Sequence, residues 1–230
     1  MPLTREDLPA LLEGWPKSFE EAIAIQQRLR HNVERQDRLG SVQTVAGLDL
    51  GFVEGGTVAR AAAVVLSFPD LELLDQAVAF RPIEFAYYPG LLSFRETPAA
   101  LEALVGLRLW PDLLICDGQG IAHPRRFGLA CHLGLLTDLP SIGCAKTRLT
   151  GQPQGELGQE RGDQQPLVDQ DEIVGVALRT RTGTRPVFVS TGHRISLPSA
   201  VHYVLACAPR YRLPETTRLA HRLASYGKTD

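Results

Sequence analysis

Two aspartates cap or interrupt runs that are otherwise apolar. Asp49 follows Val45-Ala46-Gly47-Leu48, and Asp117 follows Leu113-Leu114-Ile115-Cys116. The second run reads as a strand buried on both faces. An ionised carboxylate beside such a strand is costly to desolvate unless it is paired or coordinates a metal. If the two strands lie side by side, the acids converge, and convergent hard oxygens select Mg²⁺ or Mn²⁺ over Zn²⁺. Taken singly, either Asp also fits a turn or a helix cap, where Asp is preferred.

Further chemistry-bearing residues lie downstream. Glu96, in Leu91-Leu92-Ser93-Phe94-Arg95-Glu96, falls just before a predicted helix. It either complements that helix's dipole or adds a third carboxylate. Tyr87 and Tyr88 beside Pro89 and Gly90 make a rigid aromatic loop tip, suited to insertion into a base stack or to covering a core edge. Small residues follow Asp117 in Gly118-Gln119-Gly120-Ile121-Ala122, where backbone can approach a phosphate, and His123, Arg125 and Arg126 then supply donors. Lys146 directly follows a short strand, a position that places it near the acids or leaves it a surface lysine without a role. His193, His202 and His221 show no metal-ligand spacing among themselves.

The elements that must position these groups follow from periodicity. Ser18 to Glu21 forms a capping-box pattern, and Phe19, Ala22, Ile23, Gln26 and Leu29 repeat at helical spacing, which predicts a helix over about 18–37. Strands are predicted near 42–51, 58–68 and 72–81, joined as hairpins at the breaks 54–57 and 68–70. A helix over 98–109, the strand ending in Asp117, a helix over 126–137 and a fifth strand at 141–145 come next. The polar stretch 150–165 reads as an exposed loop, strands 172–179 and 186–190 follow, and helices start near Ser196 or Leu197 and near Pro214 or Glu215. This order describes an α/β fold, a mixed sheet covered by helices on both faces. With no repeat or long linker, one domain is expected over 1–230: an N-terminal helix (18–37), a core (42–208) and a C-terminal helix (214–227).

Composition narrows the class. With 24 basic against 26 acidic residues, the net charge of −2 argues against a protein that coats nucleic acid non-specifically, yet allows a local basic groove. No apolar stretch reaches the roughly 18 residues that cross a bilayer, and Met1 to Asp7 lacks the pattern of a secretion signal, so a cytoplasmic protein without membrane contact is expected. Cys116, Cys131, Cys144 and Cys207 show no C-x-x-C spacing and read as reduced core residues.

Five ordered blocks carry a resemblance. Val45-Ala46-Gly47-Leu48-Asp49, Tyr87 to Glu96, Asp112 to Arg125, Ser141 to Lys146 and Gly192 to Leu197 together resemble endonuclease V, the deoxyinosine 3′-endonuclease of DNA repair, over nearly the whole chain from about residue 18. The resemblance implies a ribonuclease H-like core, dependence on Mg²⁺ with Mn²⁺ as a substitute, and hydrolysis of the second phosphodiester bond 3′ to a deaminated purine. It implies that Asp49 and Asp117 hold the metal with Glu96 joining them, that His123 and Lys146 sit at the scissile phosphate, and that His221 is close to the active site. Tyr87, Tyr88 and Pro89 would form the strand-separating wedge, Gly90, Leu91, Arg95 and Gly120 would line the base pocket, and Arg125 would contact nucleic acid. The wedge departs from the family in its middle residue, Tyr88, where a branched aliphatic is common. The implied partner is DNA with deoxyinosine or another lesion, or inosine-containing single-stranded RNA, acted on by a monomer.

Two other readings stand beside it. Asp49-Leu50-Gly51 before Gly55-Gly56-Thr57 superficially resembles the first phosphate loop of sugar kinases and actin-like ATPases, but that fold needs two such domains and no second phosphate motif is present. A non-catalytic inosine-binding module would have no need for clustered carboxylates facing a polyanion.

Overall fold

The computed structural model describes residues 3–4 and 6–227; the ends of the expected domain, and Met1, Pro2 and Arg5 of the segment searched for a secretion signal, lie outside the described residues. Its nine strands are β1 (Thr44–Val53), β2 (Val58–Ser67), β3 (Leu73–Pro82), β4 (Leu113–Cys116), β5 (Ser141–Ala145), β6 (Gln152–Pro153), β7 (Gln164–Asp169), β8 (Glu172–Leu178) and β9 (Val187–His193). They form one sheet in the order β3-β2-β1-β4-β5-β9-β8-β7-β6. The first three strands are an antiparallel meander, β4 and β5 run parallel to β1, and the remainder is antiparallel. This is the mixed α/β sheet expected from the element order.

Alternation along β1 assigns the two faces. Ala46 and Leu48 belong to a core shared with α3 (Leu92–Val105) and α4 (Leu129–Thr137). Val45 points the other way, into a core shared with α5 (Leu197–Ala206). On the latter face α6 (Glu215–Tyr226) lies against Gly47 and Gly51, so closely that a Cβ at Gly47 would stand 2.1 Å from the Thr216 carbonyl oxygen. Two elements precede the sheet: the five-residue α1 (Leu8–Leu12) and α2 (Phe19–Leu29), which docks Ala22 against Phe85, Leu91 and Phe94.

Four stretches depart from the sequence reading by more than a strand end. Helix α2 is capped by Ser18 as expected, its Oγ accepting from the Glu21 amide at 3.2 Å, but ends at Leu29 in a 3₁₀ turn over Arg30–Asn32. Beyond it Glu34 is held at the end of β9, its N–H donating to His193 Nδ1 at 3.2 Å and its carbonyl accepting from the Arg194 N–H at 2.7 Å. Helix α3 begins at Leu92 and contains Pro98. The N–H that Pro98 lacks leaves the Phe94 carbonyl without its intrahelical donor, and the Trp15 indole N–H takes that place at 3.0 Å. Helix α4 starts only at Leu129, because Arg126 has a left-handed φ of 58° and Gly128 is extended. The stretch 150–165 is not all loop: it supplies β6 and the start of β7, a strand whose polar composition hides its pairing with β8.

No helix among the described residues is long and apolar enough to cross a membrane. The four cysteines are free and buried.

Candidate active site

Strand register brings the two aspartates together. Leu48 of β1 pairs with Cys116 of the parallel β4, and the Asp117 N–H donates to the Leu48 carbonyl at 3.2 Å. The next residues, Asp49 and Asp117, therefore stand abreast where β4 ends beside the middle of the longer β1; the carboxyl ends of parallel strands are where ligands of open α/β sheets bind. Glu96 reaches them from α3. It lies inside that helix rather than before it, is 8% exposed, and its carboxyl accepts no hydrogen bond among the described residues. Burial, and then the charges of Asp49 and Asp117, push its pKa up to about 8. Burial and Asp117 also raise Asp49, against the opposing effects of His221 and Lys146.

Two cations or potential cations answer these acids. Lys146, one residue past β5, pairs with Asp117, and His221 on α6 places Nδ1 2.6 Å from Asp49 Oδ2. The bare backbone of Gly47 and Gly51 on either side of Asp49 lets α6 come near enough for that second contact. Among the described residues no three His, Cys, Asp or Glu side chains are gathered tightly enough to chelate an ion as they stand. The donor set is nevertheless that of a hard divalent cation: carboxylate oxygens only, with mutual repulsion that a cation would relieve.

Beside the acids opens a cavity of about 390 Å³. Tyr87, Pro89, Leu92, Asp117, Lys146 and Leu149 are among the residues that line it. Tyr87 is 65% exposed, whereas Tyr88 turns away and packs its ring on Phe19 with centroids 4.5 Å apart. Gly90 takes a left-handed φ of 79°, and its carbonyl accepts from three side chains: Gln26 Nε2 at 3.1 Å, His123 Nε2 at 2.9 Å and Arg125 Nη2 at 2.7 Å.

The other residues that the sequence singled out have their polar groups or packing already engaged within the protein. His123 lines the cavity but has both ring nitrogens engaged, since Nδ1 accepts from the Arg125 N–H at 3.1 Å. Burial lowers its pKa to about 4, so the ring is neutral. Leu91 is fully buried against α2. Arg95 points its guanidinium at the Gly56 carbonyl (3.3 Å) and over the Phe52 ring, away from the cavity. Gly120 faces β9, where its N–H donates to Ser190 Oγ at 2.9 Å and a Cβ would meet the Thr191 carbonyl oxygen at 2.0 Å. Arg126 pairs with Asp169 (2.8 Å) and Glu172 (2.6 Å). His193 accepts the Glu34 N–H from the loop after α2.

Three residues at the site were missed. Arg212 donates to the carbonyls of Lys146, Pro186 and Arg185 at 2.8, 2.8 and 2.9 Å, fixing the backbone that carries Lys146. Leu149 is half exposed in the cavity wall. Nothing in their spacing marks either one. Gln26 did leave a signal, a carboxamide on the apolar stripe of α2, and it is completely buried.

Comparison with known proteins shows what the whole chain is similar to. The Endonuclease V family matches residues 27–222. Endonuclease V of Roseiflexus sp. (strain RS-1) is 59% identical over 218 residues, covering 94% of this chain and 96% of the relative. The crystal structure of Streptomyces avermitilis endonuclease V superposes with a TM-score of 0.88 at 46% identity, over 94% of this chain and 95% of that one. The Ciona intestinalis endonuclease V structure, in complex with a 24-mer DNA containing an inosine followed by a ribo-adenosine, gives 0.78 at 26% identity, over 89% and 95%.

Proposed function

The chain belongs to the endonuclease V family, and from that premise we propose that its cavity receives an extruded deoxyinosine while the acids beside it serve hydrolysis of the second phosphodiester bond on the 3′ side. The protein is a DNA repair endonuclease acting on deaminated bases. One observation carries the detailed reading: Asp49 and Asp117 stand abreast, with the buried Glu96 of α3 near enough to feel both charges, beside an open cavity that an exposed tyrosine borders.

Each residue then has a physical task. Asp49, Asp117 and Glu96 would hold a Mg²⁺ ion, which Mn²⁺ can replace. When bound, that ion supplies neutralisation of phosphate charge. Lys146, which pairs with Asp117, would offset charge that builds on the phosphoryl oxygens in the transition state. His221 holds Asp49 in orientation through Nδ1. Water attacks phosphorus in line and gives up a proton, the P–O3′ bond breaks, and the 3′ oxygen takes up a proton, which leaves 3′-hydroxyl and 5′-phosphate ends. Tyr87 and Pro89 form the wedge that fills the gap left by the extruded base. His123 and Arg125 act on the pocket through Gly90 rather than on the phosphate. We read the protein as one monomeric cytoplasmic domain, supported by the single continuous sheet and four unpaired thiols.

The test incubates the protein with labelled oligonucleotides carrying one inosine, in Mg²⁺ and in EDTA, beside an undamaged control. Metal-dependent nicking one nucleotide 3′ of inosine is expected. Binding without nicking would replace the enzyme by an inosine-binding module. An inosine-containing RNA strand in the same assay reads tolerance of the 2′-hydroxyl.

A further inference from the structure

Gln26 lies on α2, outside the sheet that carries the acids, and is completely buried. A buried carboxamide is costly unless its polar atoms are bonded, and here they are. Nε2 donates to the Gly90 carbonyl at 3.1 Å and to the Phe127 carbonyl at 3.0 Å, while Oε1 accepts from Arg125 Nε. Gly90 lines the cavity, and Phe127 immediately precedes Gly128, which also lines it. A single nitrogen thus ties together two segments that border one cavity. His123 and Arg125 reinforce the hold on Gly90, and the left-handed backbone there, with Arg125 Nη2 only 2.9 Å from where a Cβ would stand, leaves the loop little freedom.

We propose that Gln26 is a positioning residue that sets the width of the base pocket and the attitude of the Tyr87–Pro89 wedge. The inference rests on the assignment of this cavity to the extruded base. Gln26 touches neither base nor phosphate; it acts by removing loop freedom before the substrate arrives, so that binding does not have to order the pocket. Its loss is expected in affinity for the lesion rather than in the chemical step.

Single-turnover cleavage of an inosine oligonucleotide at increasing enzyme concentration separates the half-saturating concentration from the limiting rate. Gln26→Met keeps the volume and removes the hydrogen bonds. Its half-saturating concentration should rise about tenfold, the equivalent of one or two lost hydrogen bonds, with the limiting rate within about twofold. Gln26→Glu keeps an acceptor for Arg125 but turns an oxygen on both carbonyls, and should bind no better than the Met variant. Ile23→Ala, a partly buried neighbour on α2, controls for helix docking: at equal loss of Tm it should leave the half-saturating concentration near wild type. Three results would overturn the positioning role: wild-type saturation by the Met variant, rescue by Glu, or an Ile23→Ala shift as large as that of Met. Failure of the wild type to prefer inosine would instead remove the functional reading itself.

Discussion

Replacing Glu96 by Gln separates what this carboxylate costs the fold from what it contributes to cleavage. An exposed glutamate loses its proton near 4.5, whereas Glu96 holds it to about 8 in the folded chain. Between those values the unfolded chain binds fewer protons than the folded one, so metal-free stability falls as pH rises. At 1.36 kcal/mol per pH unit the penalty is about 1 kcal/mol at pH 5, about 3 at pH 7 and about 5 at pH 9, where the folded group has also ionised. Gln has the same shape and no proton to lose. In EDTA, Glu96→Gln should therefore be more stable than wild type, by roughly 6–12 °C in Tm at pH 7 given ~2–4 °C per kcal/mol for a chain of this size. The gap should shrink towards pH 5. Adding Mg²⁺ should raise the Tm of the wild type and largely spare the variant, and cleavage by the variant should fall at least a hundredfold. Differential scanning fluorimetry across pH, with and without Mg²⁺, measures the first part and the inosine oligonucleotide the second. A gap that does not change with pH, or a variant that still cuts, would refute the placement of Glu96 among the acids.

Other perturbations probe the remaining parts. Asp117→Ala should abolish nicking while leaving affinity for inosine DNA within a few-fold, read by gel shift; equal loss of both would remove its metal role. Tyr87→Ala should weaken lesion binding by about 1–3 kcal/mol, the worth of one aromatic stack on a base, without altering Mg²⁺ affinity measured by titration calorimetry. Gly47→Ala should cost about 1–3 kcal/mol by overpacking and lower cleavage as well, because its Cβ would push α6, and with it His221, away from Asp49; chemical denaturation and the nicking assay read the two effects.

The parts of the fold that the sequence disclosed are those whose pattern is local. Alternating and continuous apolar runs marked β1 to β5, and the acids that follow the apolar runs of β1 and β4 stand abreast through the register of those two parallel strands. What stayed hidden depends on partners far along the chain. Pro98 reads as a helix boundary until Trp15 supplies the missing donor to Phe94. The polar residues of β7 read as loop until β8 pairs with them. His123 and Arg126 look like phosphate donors until a carbonyl and two carboxylates claim them. Gln26 was visible as a polar residue on an apolar stripe, but its two acceptors lie 64 and 101 residues away.

The site draws on both helical layers, and this has a consequence for how activity depends on folding. Asp49 and Asp117 come from the sheet, Glu96 from α3 on one face and His221 from α6 on the other. Gly47 and Gly51 give up side-chain packing so that α6 can close on β1, and Glu96 is buried with like charges beside it. Neither choice favours stability, and a cation held there would offset the second. Loosening of either layer should therefore remove cleavage before the sheet unfolds. Substitutions deep in the α6 interface, such as Ala220→Gly, are expected to lower nicking at temperatures where the far-ultraviolet circular dichroism is still native. Parallel loss of both signals would show that α6 and the sheet unfold as one unit.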